Sequence, residues 1–225
     1  MVKPHLFIVF SLSCLFVFGS QAKVTHTAVP PARIVWMSDN TGKFVSNPNN
    51  LLGTFSGQLS VSDTSYATMM SSDTHQASIL LDFGKEMYGR IKIFSAIRDY
   101  KIPVRLRIRL GESVTEAMSD VTVPDNPQNP TNEHSLRDFT VSAPWLGSFQ
   151  CGNSGFRFAR IDLLDKDIKY NLRHVSAISL LRDIENKGSF CSDDERINQI
   201  WRTGAYTVKL NMQEYLWDGI KRDRL

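Results

Sequence analysis

Two carboxylates near the end of the chain have the type and setting to do chemistry. Asp218 belongs to Asp218-Gly219, a turn dipeptide. Asp223 belongs to Lys221-Arg222-Asp223-Arg224, one acid among three cations. A carboxyl can give or take a proton when its pKa suits the working pH. The cations beside Asp223 favour its ionised form, so proton donation would need burial or further carboxylates to raise its pKa.

Other candidates are weaker. Val104 to Leu110 alternates apolar residues with Arg105, Arg107 and Arg109. That is a period-two strand with three guanidinium groups on one side. A sandwich strand with one wet face carries such charges; a subsite for an acidic sugar such as a uronate would use the same residues. Glu133, His134 and Asp138 could suggest a metal, but their spacing matches no standard zinc or calcium pattern. They read as a hydrogen-bonded loop, and no metal or cofactor is implied. No nucleophile elbow, phosphate loop or paired-cysteine site is present. Tyr66, Tyr88, Tyr100 and Trp145 could stack on sugar faces if exposed, or pack in a core. Cys151 and Cys191 could pair in an exported chain; we read them as free buried thiols.

The elements that position the two acids follow from periodicity. Ser192 and Glu195 have capping-box spacing, and Asp193, Asp194 and Glu195 suit the positive end of a helix dipole. Ile197, Ile200, Trp201, Gly204, Ala205 and Val208 then mark one apolar helix face. Upstream, strands are expected at Ile34 to Met37, Val104 to Leu110, Phe139 to Val141, Phe156 to Leu164 and Val175 to Leu181. Phe55 to Ser62 and Tyr66 to Met70 are weaker candidates. Ile79 to Phe83 and Arg90 to Phe94 flank Gly84 to Gly89 as a hairpin or a longer strand pair. Val121 to Asn132, with Pro124, Pro127 and Pro130, cannot be regular structure. Lys23 to Ala32 has a linker composition with Pro30-Pro31.

The chain has 225 residues and a formal net charge of +3, which makes no case for nucleic acid or a membrane surface. Residues 1–22 read as a signal peptide. Lys3 gives the positive start, Leu6 to Phe18 the apolar run, and Ser20-Gln21-Ala22 the small residues before cleavage ahead of Lys23. Export to the periplasm or beyond, in a bacterium, is the expectation. No other run approaches spanning length.

Several stretches resemble bacterial α-L-rhamnosidases, inverting glycoside hydrolases with a six-hairpin helical barrel. The segment from Gly188 matches the family's "G-x-F-x-C-S-D … I-W" helix opening, and DGIKRDRL its "D-G-x-K-R-D/E-R" acid segment. LLDFGKEMYGRI, Gly111-Glu112-Ser113 and Gly155-Phe156-Arg157-Phe158-Ala159-Arg160-Ile161 match elements of the preceding β-sandwich. Asn132 to Asp138 is similar to a further element of part of the family. The resemblance implies a mainly β fold: an antiparallel β-sandwich over 34–186, after a linker over 23–33, then the start of an (α/α)6 six-hairpin domain over 187–225. It implies that Asp223 is the general acid, that Asp218 and Arg222 hold the sugar, and that the ligand is a rhamnose-containing oligosaccharide or polysaccharide. The general base has no counterpart here, so the isolated chain is expected to be silent. The alternative is a non-catalytic carbohydrate-binding β-sandwich.

Overall fold

The computed structural model describes residues 23–99, 101–120 and 137–221. Residues 1–22, Tyr100, the 121–136 segment with Glu133 and His134, and residues 222–225 with Arg222 and Asp223 lie outside the described residues.

The fold is mainly β. The strands are β1 (Val24–Val29), β2 (Arg33–Met37), β3 (Val45–Ser46), β4 (Ala67–Met70), β5 (Ser78–Ser95), β6 (Val104–Gly111), β7 (Asp138–Ala143), β8 (Gly147–Leu163) and β9 (Lys169–Arg182). Among the described residues two α-helices, α1 (Val114–Met118) and α2 (Glu195–Asn211), interrupt and follow them. Hydrogen bonding runs in the order β3-β4-β9-β5-β8-β6-β7, with β1 on β9 and β2 on β5. All these ladders are antiparallel. Met69 of β4 and Leu106 of β6, from distant places in that order, share one buried cluster. The long sheet therefore closes on itself as an antiparallel sandwich with apolar side chains between its layers. Leu106, Ile108, Phe156 and Ile161 are buried in that cluster, as expected; Phe158 is buried instead in a second, smaller cluster with Leu80 and Ala117 of α1.

Four expectations are corrected. The stretch around Gly84 is not a hairpin but the middle of β5, an 18-residue strand. Asp82 pairs with Phe158 and Met87 with Phe156, so five steps on β5 face two on β8. Gly84, at φ +86°, lets the chain bulge there without reversing. The 23–33 stretch is not merely a linker: β1 pairs along β9 from Val24↔Arg182 to Val29↔Ala177. Its middle residues are exposed, which is why an edge strand has a linker's polar composition. Phe55 to Ser62 forms no strand, and the last strand begins at Lys169 instead of Val175. Finally, the arginine face of β6 is not wet throughout. Arg105 binds Asp165, Arg107 binds Asp138 and Asp120, and Arg109, only 4% exposed, binds Asp162. Aspartates of this chain engage all three guanidinium groups, in a row of ion pairs that runs from the exposed Arg105 to the buried Arg109.

Both cysteines are free. Cys151 is half-buried, and burial pushes its thiol up to about 12; Cys191 is exposed, not buried as expected.

Candidate functional site

Helix α2 delivers the acid segment. Its N-cap is Asp194, whose Oδ1 accepts the Arg196 N–H at 2.8 Å. Ser192, expected in that role, instead accepts from Asp194 N–H, while Asn198 closes the preceding turn by bonding both Ser192 N–H and Ser192 C=O. The helix ends at Met212, and the chain doubles back. Met212 and Leu216 form a β-bridge, Trp217 N–H donates to Asn211 C=O at 2.9 Å, and Arg182 donates to the Gln213 carbonyl. The turn sends residues 217–221 onto the outer face of β5 and β8.

Three contacts seat that segment. The Trp217 indole meets the Tyr88 ring edge-on, centroids 5.4 Å apart at 90°. Ile220 sits on Gly155, where an added Cβ would come within 2.3 Å of its side-chain carbons. Tyr88 and Gly155 are direct cross-strand partners, so these two contacts share one site on the sheet. Lys221 Nζ lies 2.5 and 2.6 Å from the two Glu116 carboxylate oxygens and 3.7 Å from Glu112. Helix α2 is tied to the same place, since Tyr206 O–H donates to the Glu86 carbonyl at 2.6 Å.

Glu116 is fixed before Lys221 arrives. Ser113 caps α1 by accepting Glu116 N–H at 3.1 Å, and the Glu116 carboxylate accepts Glu112 N–H at 2.8 Å. Arg137 donates to the Glu116 carbonyl at 3.0 Å. Gly111 permits the sharp turn from β6, because a Cβ there would lie 2.5 Å from Ala117 N. Ser113 and Glu116 have the capping-box spacing, a signal in the sequence that went unread at this point.

The charges under the segment are unequal. Burial pushes the Glu86 carboxyl up to about 8; Glu112 and Glu116 add to this, Lys221 and Arg157 oppose it. Asp82, four residues earlier, behaves in the opposite way. Burial alone would raise it, but bonds from Arg157, Gly84 N–H and Arg33 hold it at about 2. One strand thus carries a carboxyl that stays protonated at neutral pH and another that stays ionised.

Of the predicted site residues, Asp218 lies exposed between the Trp217 and Ile220 anchors, while Arg222 and Asp223 follow Lys221 outside the described residues. Of the proposed sugar-stacking aromatics, Tyr88 packs on Trp217, Trp145 donates its indole N–H to Arg98 C=O, and Tyr66 is half-buried. Tyr100 lies outside the described residues. Among the described residues no group of three or more His, Cys, Asp or Glu is placed to hold a metal ion. No helix among them is long and apolar enough to cross a membrane.

Comparison with solved structures places this geometry. The chain matches a rhamnosidase from Klebsiella oxytoca with rhamnose bound at TM-score 0.64 and 17% identity, over 91% of this chain and 38% of that one. A GH78 family rhamnosidase of Bacillus sp. GL1 matches at 0.55 and 15%, over 78% and 17%. An α-L-rhamnosidase from Dictyoglumus thermophilum matches at 0.52 and 18%, over 91% and 18%. The fold is rhamnosidase-like. The chain spans well under half the length of each of these proteins. No protein-family profile matches it, and no curated protein does.

Three sequence stretches quoted for the resemblance meet under residues 217–221. LLDFGKEMYGRI supplies Glu86 and Tyr88, Gly111-Glu112-Ser113 leads into Glu116, and the stretch from Gly155 supplies the seat for Ile220 and Arg157. Sequence reasoning took them as scaffold. Their convergence depends on the β5–β8 register and the α1 turn, which no local pattern specifies.

Proposed function

We propose that the chain is the front part of an α-L-rhamnosidase-like glycoside hydrolase, with a β-sandwich that takes in β1 and runs to residue 186, and with 187–225 opening its helical catalytic domain. The supporting observation is that the segment similar to the family's acid segment is docked, in a rhamnosidase-like fold, on the sheet elements that share the resemblance. Asp223 donates the proton to the leaving oxygen, and Asp218 and Arg222 hold the sugar. Inversion needs a second, ionised carboxylate ~6.5–9.5 Å away to activate water on the opposite face. The resemblance supplies none from this chain, so the isolated chain does not turn over. The substrate is a rhamnose-terminated oligosaccharide or polysaccharide. Residues 1–22 direct export and are cleaved before Lys23, and the protein works in the periplasm or outside the cell.

The experiment is made in a chain extended through the base. Asp223→Asn cannot deliver a proton, so it loses hydrolysis of a natural rhamnosyl disaccharide and is affected less on activated aryl rhamnosides. Asp218→Asn weakens both substrates alike, because it acts through binding. Full activity of Asp223→Asn on the disaccharide overturns the assignment. Rhamnoside binding with no hydrolysis in the extended chain would favour the carbohydrate-binding alternative.

A further inference from the structure

We propose that Glu116 of α1 and Gly155 of β8 are positioning residues for the 217–221 segment: the sheet domain, not the helix alone, sets where Asp218 lies. The inference rests on reading that segment as catalytic.

The path from helix to acid shows why the helix alone is insufficient. Its last turn is followed by five residues before Trp217, and Glu214, Tyr215 and Leu216 within them are exposed. The connection is closed by the Met212–Leu216 bridge and the Trp217 N–H to Asn211 C=O bond, which hold the chain only as far as Trp217. Beyond Trp217 the holding contacts are on the sheet. Ile220, 8% exposed, fills the space that a missing Cβ leaves at Gly155. Lys221 has a side chain only 8% exposed and is held by both oxygens of Glu116, with Glu112 behind. A charge that is nearly out of water must be paired, and removing its partner leaves it stranded. Glu116 is itself held by the α1 cap and Arg137, so it is a rigid partner. Glu112 also lies against Lys221, and the Lys221 charge lowers the Glu86 carboxyl's pKa against the burial that raises it, so Glu86 reports whether Lys221 is seated.

The test separates anchoring from chemistry. In the chain as it stands, hydrogen–deuterium exchange should show slow amides at 217–221. Glu116→Gln keeps an oxygen for Glu112 N–H but loses the ion pair, and Lys221→Met loses it from the other side. Each should speed exchange at 217–221 about tenfold and leave β5, β8 and β9 unchanged. The double variant should be no worse than either single one, because both remove one interaction. Gly155→Ala, at a backbone angle that alanine accepts, should unseat Ile220 with the same result. A carboxyl NMR titration adds a readout that helix capping would not move: Lys221→Met and Gly155→Ala should raise the Glu86 midpoint, since a cation has left its side. In a chain extended through the base, Glu116→Gln should lower kcat about 10- to 100-fold, because misplacement by about an ångström costs that much, and should raise KM as well, because the displaced Asp218 holds the sugar. Unchanged exchange in Glu116→Gln and Lys221→Met, or additive effects in the double variant, overturns the anchor and leaves the functional reading standing. Exchange as expected, with Asp223→Asn fully active, sinks the functional reading and leaves the anchor. Loss of seating with no change in kcat overturns the positioning role alone.

Discussion

Strand β6 and helix α2 each carry an apolar face that periodicity marks clearly, yet the two end in opposite environments. Leu106, Ile108 and Leu110 of β6 are fully buried. On α2, Ile200 is 70% exposed and Val208 53% exposed. The difference lies in what stands opposite. β6 is paired on both edges and has the second layer of the sandwich across from it. Among the described residues, α2 is held to the sheet by Tyr206 and the buried Leu210 near its end and to the connecting segment by Lys209 on Ile184 C=O, and a groove of about 330 Å³ between Trp201, Val208 and the 184–188 segment stays open. Periodicity says which side chains share a face; it is silent on whether anything covers that face. Charges repeat the lesson. Arg109 and Asp162 pair out of water, while Arg202 and Glu195 on α2 pair in it.

The contrast can be broken most violently at Ile108. Ile108→Asp puts an unpaired charge in the core, a cost of about 5 kcal/mol or more that rivals the stability of the whole domain. Circular dichroism should show an unfolded protein at 25 °C; a cooperative melt would place Ile108 elsewhere. Next comes Asp162→Ala, which strands buried Arg109 and half-buried Arg160. It should cost about 3–5 kcal/mol in urea titration, whereas Arg202→Ala on α2 should change little. Arg107→Glu follows. Alternation alone makes Arg107 a wet residue, but it is half-buried between Asp138 and Asp120, and an acid there should cost about 1–3 kcal/mol.

A subtler contrast lies within β5. Asp82 is depressed to about 2, so its stabilisation is full above about 3.8 and disappears as pH falls through 2. Glu86 is raised to about 8, so its stabilisation is full below about 4.5 and disappears as pH rises through 8. Glu86→Gln, which mimics the neutral acid, should overtake the wild type progressively between pH 4.5 and 8 in thermal melts. Parallel melting curves across that range would show that Glu86 is not desolvated. The smallest effect is expected on the helix. Ile200→Ser should shift stability by no more than about 0.5 kcal/mol, and a loss of several would reveal a partner for the α2 face.

The residues differ in how legible they were. The inward face of β6 could be read directly, because a two-residue period has one physical meaning in a half-buried strand; on β8 the period misleads, since Phe156 and Phe158 lie in different clusters. β5 could not be read directly either. Gly84 inside an otherwise extended run suits a turn as well as a bulge, and only the pairing of both flanks with β8 decides between them. β1 was hidden because an edge strand may be polar on both faces. The acid segment was visible through Asp218-Gly219 and the cations after it. Its support was not: Tyr88, Gly155 and Glu116 are 28 to 67 residues apart and meet only through sheet register.

Strand β9 has a consequence for synthesis. It is the last strand made, yet it is hydrogen-bonded to β1, β4 and β5. The growing chain cannot close its sheet until residue 182 has left the ribosome. Until then Ile79, Leu80 and Leu81 of β5 have no finished layer to shelter them, a hazard common to folds built on distant pairings. At about 5–20 residues per second, that waiting lasts several seconds or more after β5 itself emerges. A chain that stalled or was cut between β5 and β9 would present sticky, unpaired strands. Such a chain is work for a chaperone or a protease, whatever becomes of the acids at its far end.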